Sequence, residues 1–243
     1  MSATGGKNAL LSLVLLLLVP ACKPEKPVEI RKPEEPTVII KPRNPVLTLE
    51  QRAELAIAPE LIGKIELSAG AEAEPFFVIE VFPSENLKGE KGFEQQKLAG
   101  FSVRTKNSDE LIRSYRAGLR VKGLLIFKSH RGYGSLPDIV SVVRGNNSYD
   151  ILKIQRTEAA SYNLDTSAII AWLKEQQKIS SFAITGAGPD WVEAKFIRQP
   201  ETLNEFAARI YAFAPDVRGD GPQTAGKLAE RIRKTNGFYL VWD

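Results

Sequence analysis

Tyr149 to Gln155 (YDILKIQ) is the stretch whose reading decides the fold. Taken as a strand by its alternation, it stands ahead of a helix opened by Thr166 and carrying Ile169, Ile170 and Leu173. Phe182 to Thr185 and Trp191 to Ile197 follow as strands on either side of a Gly186–Asp190 turn (GAGPD). Thr202 and Glu205 have capping-box spacing for a helix with Leu203, Phe206, Ile210 and Phe213, which Pro215 stops. A further helix with Leu228 and Ile232 ends at Asn236-Gly237, where a left-handed stop is favoured. Phe238 to Asp243 (FYLVWD) is the last strand. The order β-α-β-β-α-(α)-β is that of a split, ferredoxin-like arrangement. It predicts an α+β domain with helices covering one face of an antiparallel sheet.

Further elements precede this half. Thr48 and Gln51 form a capping box for a helix reaching about Ala58, ended by Pro59. Phe76 to Phe82 and Gly100 to Thr105 read as strands, with Ser84 to Leu98 a polar loop between them. Asn107 and Glu110 open a helix whose Leu111, Ile112, Tyr115 and Leu119 share one face and which ends near Gly123. Leu124 to Phe127 and Ile139 to Val143 then read as strands joined by a loop from His130 to Asp138. The expected organisation is a signal peptide over 1–21, a spacer over 22–47 and an α+β domain over 48–243.

The chain has 243 residues, 43% hydrophobic and 26% charged, which excludes disorder throughout. One Cys and one His exclude a disulfide framework and zinc sites built from Cys or His pairs. Neither a metal nor a cofactor is expected. The formal charge of +4 comes largely from the amino-terminal stretch. Removing the seven bases up to Arg43 from 33 leaves 26, and removing the four acids there from 29 leaves 25. A folded part so nearly neutral has no electrostatic footprint for nucleic acid.

At the amino terminus, Lys7 precedes the apolar run Ala9 to Val19, which is followed by Pro20-Ala21-Cys22. Eleven residues are too few to span a bilayer, for which about 20 are needed, and they fit a signal-peptide core. The lone cysteine behind a small residue resembles the lipobox of bacterial lipoproteins. The resemblance implies a thioether-linked diacylglycerol on Cys22 after cleavage, and a mature chain held to a membrane by two or three acyl chains, palmitate-like in length, without crossing it. Lys23, in place of a retaining Asp, leans toward the outer membrane, periplasmic side, in a two-membraned host. The next stretch carries Pro24, Pro27, Pro33, Pro36, Pro42 and Pro45 among charges. It reads as a semi-rigid, extended spacer.

Several stretches over 136–243 carry a family resemblance. They are Tyr149 to Lys153, Thr157 to Asn163, Thr166 to Leu173, Gly186 to Glu193, Tyr211 to Asp216 and the terminal Tyr239-Leu-Val-Trp-Asp243. Together they resemble a bacterial family known as domain of unknown function 4253. Ala214 stands where such proteins often have Cys, and Val241 replaces the first Trp of an aromatic-Leu-Trp-Trp-Asp ending. The resemblance implies no activity.

Asp190, Trp191, Glu193, Trp242 and Asp243, with Tyr162 and Asn163, form the constellation of most interest. Paired carboxylates serve hydrolysis, and indole faces suit sugars and cations. Trp191, Glu193 and Lys195 share one side of their strand, whereas Trp242 shares its side with Phe238 and Leu240 and so reads as core. His130 is a candidate general base, because imidazole titrates near neutrality. Arg218, ahead of the helix that starts near Thr224, is a candidate for anions. The expected function is an envelope lipoprotein whose domain binds a protein or glycan. The alternatives are a hydrolase using Asp190 and Glu193, their carboxyls about 5 to 9 Å apart as glycosidases require, and a protective inhibitor or immunity lipoprotein.

Overall fold

The computed structural model describes residues 45–82, 93–133, 135–218 and 224–243. The expected signal peptide, Cys22, nearly all of the spacer and the first part of the Ser84–Leu98 loop, through Gly92, lie outside them. Of two compact units, Met1–Pro42 and Arg43–Asp243, the second holds every described element. Those elements are α1 (Leu49–Leu55), α2 (Pro59–Ala69), β1 (Glu74–Phe82), β2 (Phe93–Thr105), α3 (Ser108–Val121), β3 (Leu124–His130) and β4 (Asp138–Arg144). They continue with α4 (Asp150–Gln155), α5 (Thr166–Ile179), β5 (Ser181–Ala187), β6 (Trp191–Arg198), α6 (Leu203–Phe213), α7 (Ala225–Thr235) and β7 (Gly237–Val241).

The class is α+β, built on one seven-stranded sheet in the order β1-β2-β4-β3-β5-β6-β7. Every pairing is antiparallel except the seam between β3 and β5, which is parallel and consists of the single pair Lys128↔Gly186.

Helices pack on both faces, not on one as the sequence reading expects. Along β3, Leu124 and Ile126 join Phe101, Val103, Val140 and Val142 under α1, α2 and α3. Leu125 and Phe127 point the other way, into a core shared with Phe182, Ile184, Val192, Ala194, Phe196, Phe238 and Leu240 and roofed by α4 to α7. A strand buried on both sides needs an unbroken apolar run, and Leu124-Leu-Ile-Phe127 supplies it. The two helical layers are offset along the sheet: α1 to α3 cover β2, β4 and β3, while α4 to α7 cover β3, β5, β6 and β7 on the opposite side. The α3 side of β5 to β7 is therefore left open at the edge of α3.

The strand expected at Tyr149–Gln155 is helix α4. Ile151 and Leu152, adjacent in sequence, both bury in the same core, which a two-residue alternation cannot achieve. Asn147 Oδ1 accepts from Tyr149 N at 3.0 Å, and Arg156 ends the turn at φ 52°. The carboxy-terminal half is thus α-α-β-β-α-α-β, and the ferredoxin-like order fails at its first element. Pro59 does not end α1, which stops at Leu55, short of the expected Ala58, with Ala56 left-handed at φ 50°. Pro59 instead begins α2 at a position where its missing N–H has no partner to lose, and Ile62 and Ile65 of α2 are fully buried. The expected loop Ser84–Leu98 is in its last part the start of β2, paired with β1.

Other local signals are met in part: Asn107 and Thr202 precede their helices, but neither side chain caps the helix, the Thr202 hydroxyl donating instead to Glu205 Oε2 at 3.0 Å. The Thr48/Gln51 capping box is formed in both directions. The cap of α5 is Asp165, not the expected Thr166, with its carboxylate accepting from Ala168 N at 2.7 Å and Thr166 the first helical residue. Asn236 ends α7 in the left-handed region at φ 49°.

Candidate functional site

Lys128 continues the alternation of β3 onto the α3 side, just where the apolar cover of that side stops. Its side chain is 8% exposed. Burying a lysine requires counter-charges, and three elements supply them. Asp109, in the first turn of α3, lies at 3.2 Å from Nζ, Asp138 at the start of β4 at 3.3 Å, and Glu193 of β6 at 3.1 Å. Lys195, two residues beyond Glu193 and on the same side of β6, reaches Asp109 at 2.9 Å and Glu193 at 3.9 Å. Asp138 is itself fixed by the Ser108 hydroxyl at 2.5 Å and by Gly132 N at 2.8 Å.

Burial alone pushes the Lys128 ammonium down, but Glu193, Asp109 and Asp138 outweigh it and the net shift is upward. Burial likewise raises Asp109 and Asp138, yet the lysines and, for Asp138, the Ser108 and Gly132 hydrogen bonds overcome it and hold both carboxyls below the ordinary range.

Next to this network, the Arg131 guanidinium sits 4.2 Å from the centre of the Tyr239 ring. Burial carries the Tyr239 phenol up to about 12 against the opposing effect of Arg131. The ring therefore stays neutral, and its hydroxyl remains a donor throughout the neutral range. Trp191, 6% exposed, packs 6.0 Å from Tyr239. The GAGPD segment seats it: a Cβ on Gly188 would lie 2.1 Å from the indole Nε1, so only glycine lets the turn pass under the ring. Lys128, Arg131, Glu193, Lys195 and Tyr239 line a recess of about 280 Å³, and a second recess of about 350 Å³ adjoins it past Asp109 and Lys195, beside Thr185 and Arg116.

Of the residues singled out in the sequence, Trp191 and Glu193 come together here. The others do not. Asp190 is exposed on the turn, and its carbonyl accepts from Trp242 N at 3.0 Å. Trp242 is core, 2% exposed, with Nε1 donating to the Phe213 carbonyl at 3.1 Å. Tyr162 and Asp243 meet elsewhere, through Asp216: the Tyr162 hydroxyl donates to both its oxygens at 2.9 and 2.8 Å, and Asp243 N donates at 2.9 Å. Asn163 takes a left-handed φ of 54° ending the turn Ala160–Tyr162. His130 ends β3, exposed, in a shallow pocket with Arg104 and Ser129. Arg218 closes a short turn, and its side chain lies outside the described residues, as does Cys22. Among the described residues no group of His, Cys, Asp and Glu is arranged to hold a metal, and no helix is long and apolar enough to cross a membrane.

Sequence reading missed Asp109, Lys128, Arg131, Asp138 and Tyr239. The one local signal was Lys128 itself, a charge at the end of a strand otherwise buried on both faces.

Residues 139–243 match the family model described as domain of unknown function DUF4253. No curated protein and no solved structure matches the chain. Glu193, Lys195, Trp191 and Tyr239 lie in the DUF4253 region, while Asp109, Lys128, Arg131 and Asp138 precede it, so the recess draws on both. Within the DUF4253 region, Tyr239-Leu-Val of the terminal motif belongs to β7, and Leu240 and Trp242 bury in the core. Ala214 is fully buried.

Proposed function

We propose that this chain is an envelope lipoprotein, tethered through Cys22, whose folded domain binds a protein or glycan in the recess between α3 and the open side of β5 to β7. The observation that carries the binding reading is the state of the carboxylates there. Asp109 and Asp138 are held low by lysines and hydrogen bonds, and Glu193 is spent on Lys128. A general acid working at neutral pH needs its carboxyl raised instead. Asp190, the partner that a Glu193-based hydrolase requires, stands exposed on a turn. What the recess offers a ligand is a neutral phenol, a guanidinium stacked on its ring, and a lysine-carboxylate floor, a surface suited to polar recognition.

Two measurements test the two halves of this reading. Intact mass of the membrane-extracted protein is expected to show an acylated chain beginning at Cys22, and Cys22→Ser is expected to leave the membrane fraction. An unacylated native species removes the anchor. Calorimetric titration of the full chain with envelope glycan fragments, and crosslinking in intact cells, are expected to yield one saturable ligand. Tyr239→Ala is expected to weaken it about tenfold, the loss of one good aromatic contact with its hydrogen bond. Binding indifferent to Tyr239→Ala places the ligand elsewhere.

A further inference from the structure

The seam between β3 and β5 carries a second, separate feature. Their only pairing is at Lys128↔Gly186, and Leu124–Ile126 and Ser181–Ile184 run side by side without pairing to each other. A cavity of about 240 Å³ occupies the split. Most of its lining is apolar, and a polar patch forms its floor: Tyr149 donates to Gln177 Oε1 at 2.7 Å, and Gln177 Nε2 donates to the Phe182 carbonyl at 3.1 Å. Over it stand Arg116 and Arg120, one helical turn apart on α3. No Asp or Glu lines this cavity.

Among the described residues neither guanidinium makes an ion pair or a hydrogen bond; the same holds for Arg198, Arg209 and Arg233, but only Arg116 and Arg120 line one cavity together. Arg116 is half-buried, and burial and the like charge of Arg120 push its guanidinium below its ordinary value. Two unpaired guanidiniums at i and i+4, whose Cβ atoms lie about 5 to 6 Å apart on a helix, repel each other. An oxyanion held between their forks reverses that repulsion.

We propose that Arg116 and Arg120 bind the phosphate group of a small anionic ligand at the mouth of the split between β3 and β5. The cavity suits a compact group and not a polymer. The tetrahedral oxygens accept from both forks, and the polar floor takes the remainder of the ligand. Arg116 also borders the second recess beside Asp109 and Lys195, so the two sites adjoin, but the proposal does not depend on that recess being the binding site.

Calorimetric titration of the full chain with inorganic phosphate and with pyrophosphate, at low ionic strength and neutral pH, tests this. Saturable binding is expected, weakened about tenfold in Arg116→Gln and several-fold in Arg120→Gln, the loss of one charge-assisted bond or pair. Arg233→Gln, exposed on α7, is expected to bind as the parent does. Citrate is expected to compete poorly. Absence of saturable binding in the parent, an equal loss in Arg233→Gln, indifference to Arg116→Gln, or citrate competing as well as pyrophosphate each overturns the proposal. Should Arg116→Gln lose the fold by circular dichroism, Arg116→Lys, which keeps the charge but not the fork, must still show the loss.

Discussion

Lys128→Met is expected to lower the unfolding free energy by about 3 kcal/mol, the low end for removing one partner of a buried ion pair. The variant keeps the lysine's apolar stem but leaves Glu193, 11% exposed, and Asp138, 20% exposed, without their common counter-charge. Lys195 still reaches Asp109 and Glu193, which is why the low end applies. Urea midpoints at unchanged slope measure it. The double variant Lys128→Met/Glu193→Met is expected to recover part of the loss, because the stranded charge goes with the lysine. A loss below about 1 kcal/mol in the single variant would mean that the network contributes no more than a surface pair.

The same network has a pH signature. Asp109 and Asp138 titrate lower in the folded protein than an ordinary aspartate does, so acid protonates the unfolded chain first. Their contribution is present above the ordinary aspartate range and is lost as pH falls through the lowered folded values. Lys128 titrates above an ordinary lysine, so its contribution is complete below the ordinary lysine range and is lost as pH rises through the raised value. The stability difference between parent and Lys128→Met is therefore expected to be flat across the neutral range and to shrink in acid. A difference that holds constant well below the carboxylate range would contradict this assignment.

Gly100→Ala is expected to cost about 3 kcal/mol or to prevent folding, at the upper end of overpacking effects. Gly100 lies in β2 where β1 changes register between Phe76 and Phe77, opposite Val143 of β4. A Cβ there would stand 2.0 Å from the Val142 carbonyl oxygen and 3.0 Å from a Val143 methyl. The first obstacle is backbone in the middle of the sheet, and it cannot swing aside as a side chain does. Relief requires β2 and β4 to separate, which gives up ladder hydrogen bonds beside buried Phe101 and Val142. Thermal unfolding of the variant reads the effect, and a midpoint within a degree or two of the parent would show that the ladder yields more easily than its geometry implies.

The sequence alone determined the elements whose signal is local. The Thr48/Gln51 box, the apolar face of α3, the LLIF strand, the Pro215 stop after α6 and the Asn236 end of α7 all depend on residues within one or two turns of each other. Such preferences survive in any tertiary setting. The same locality made the α+β class and the DUF4253 resemblance legible. Tertiary structure decided α4, because YDILKIQ is only seven residues long and period alone does not separate a short buried helix from a strand. It also decided the cover on both sheet faces and the site. Asp109, Lys128, Asp138 and Glu193 come from α3, β3, β4 and β6 and are brought together by the single β3–β5 pairing. Charge pairing across the sheet leaves no mark in sequence spacing, since Coulomb attraction depends on distance through space and not on separation along the chain.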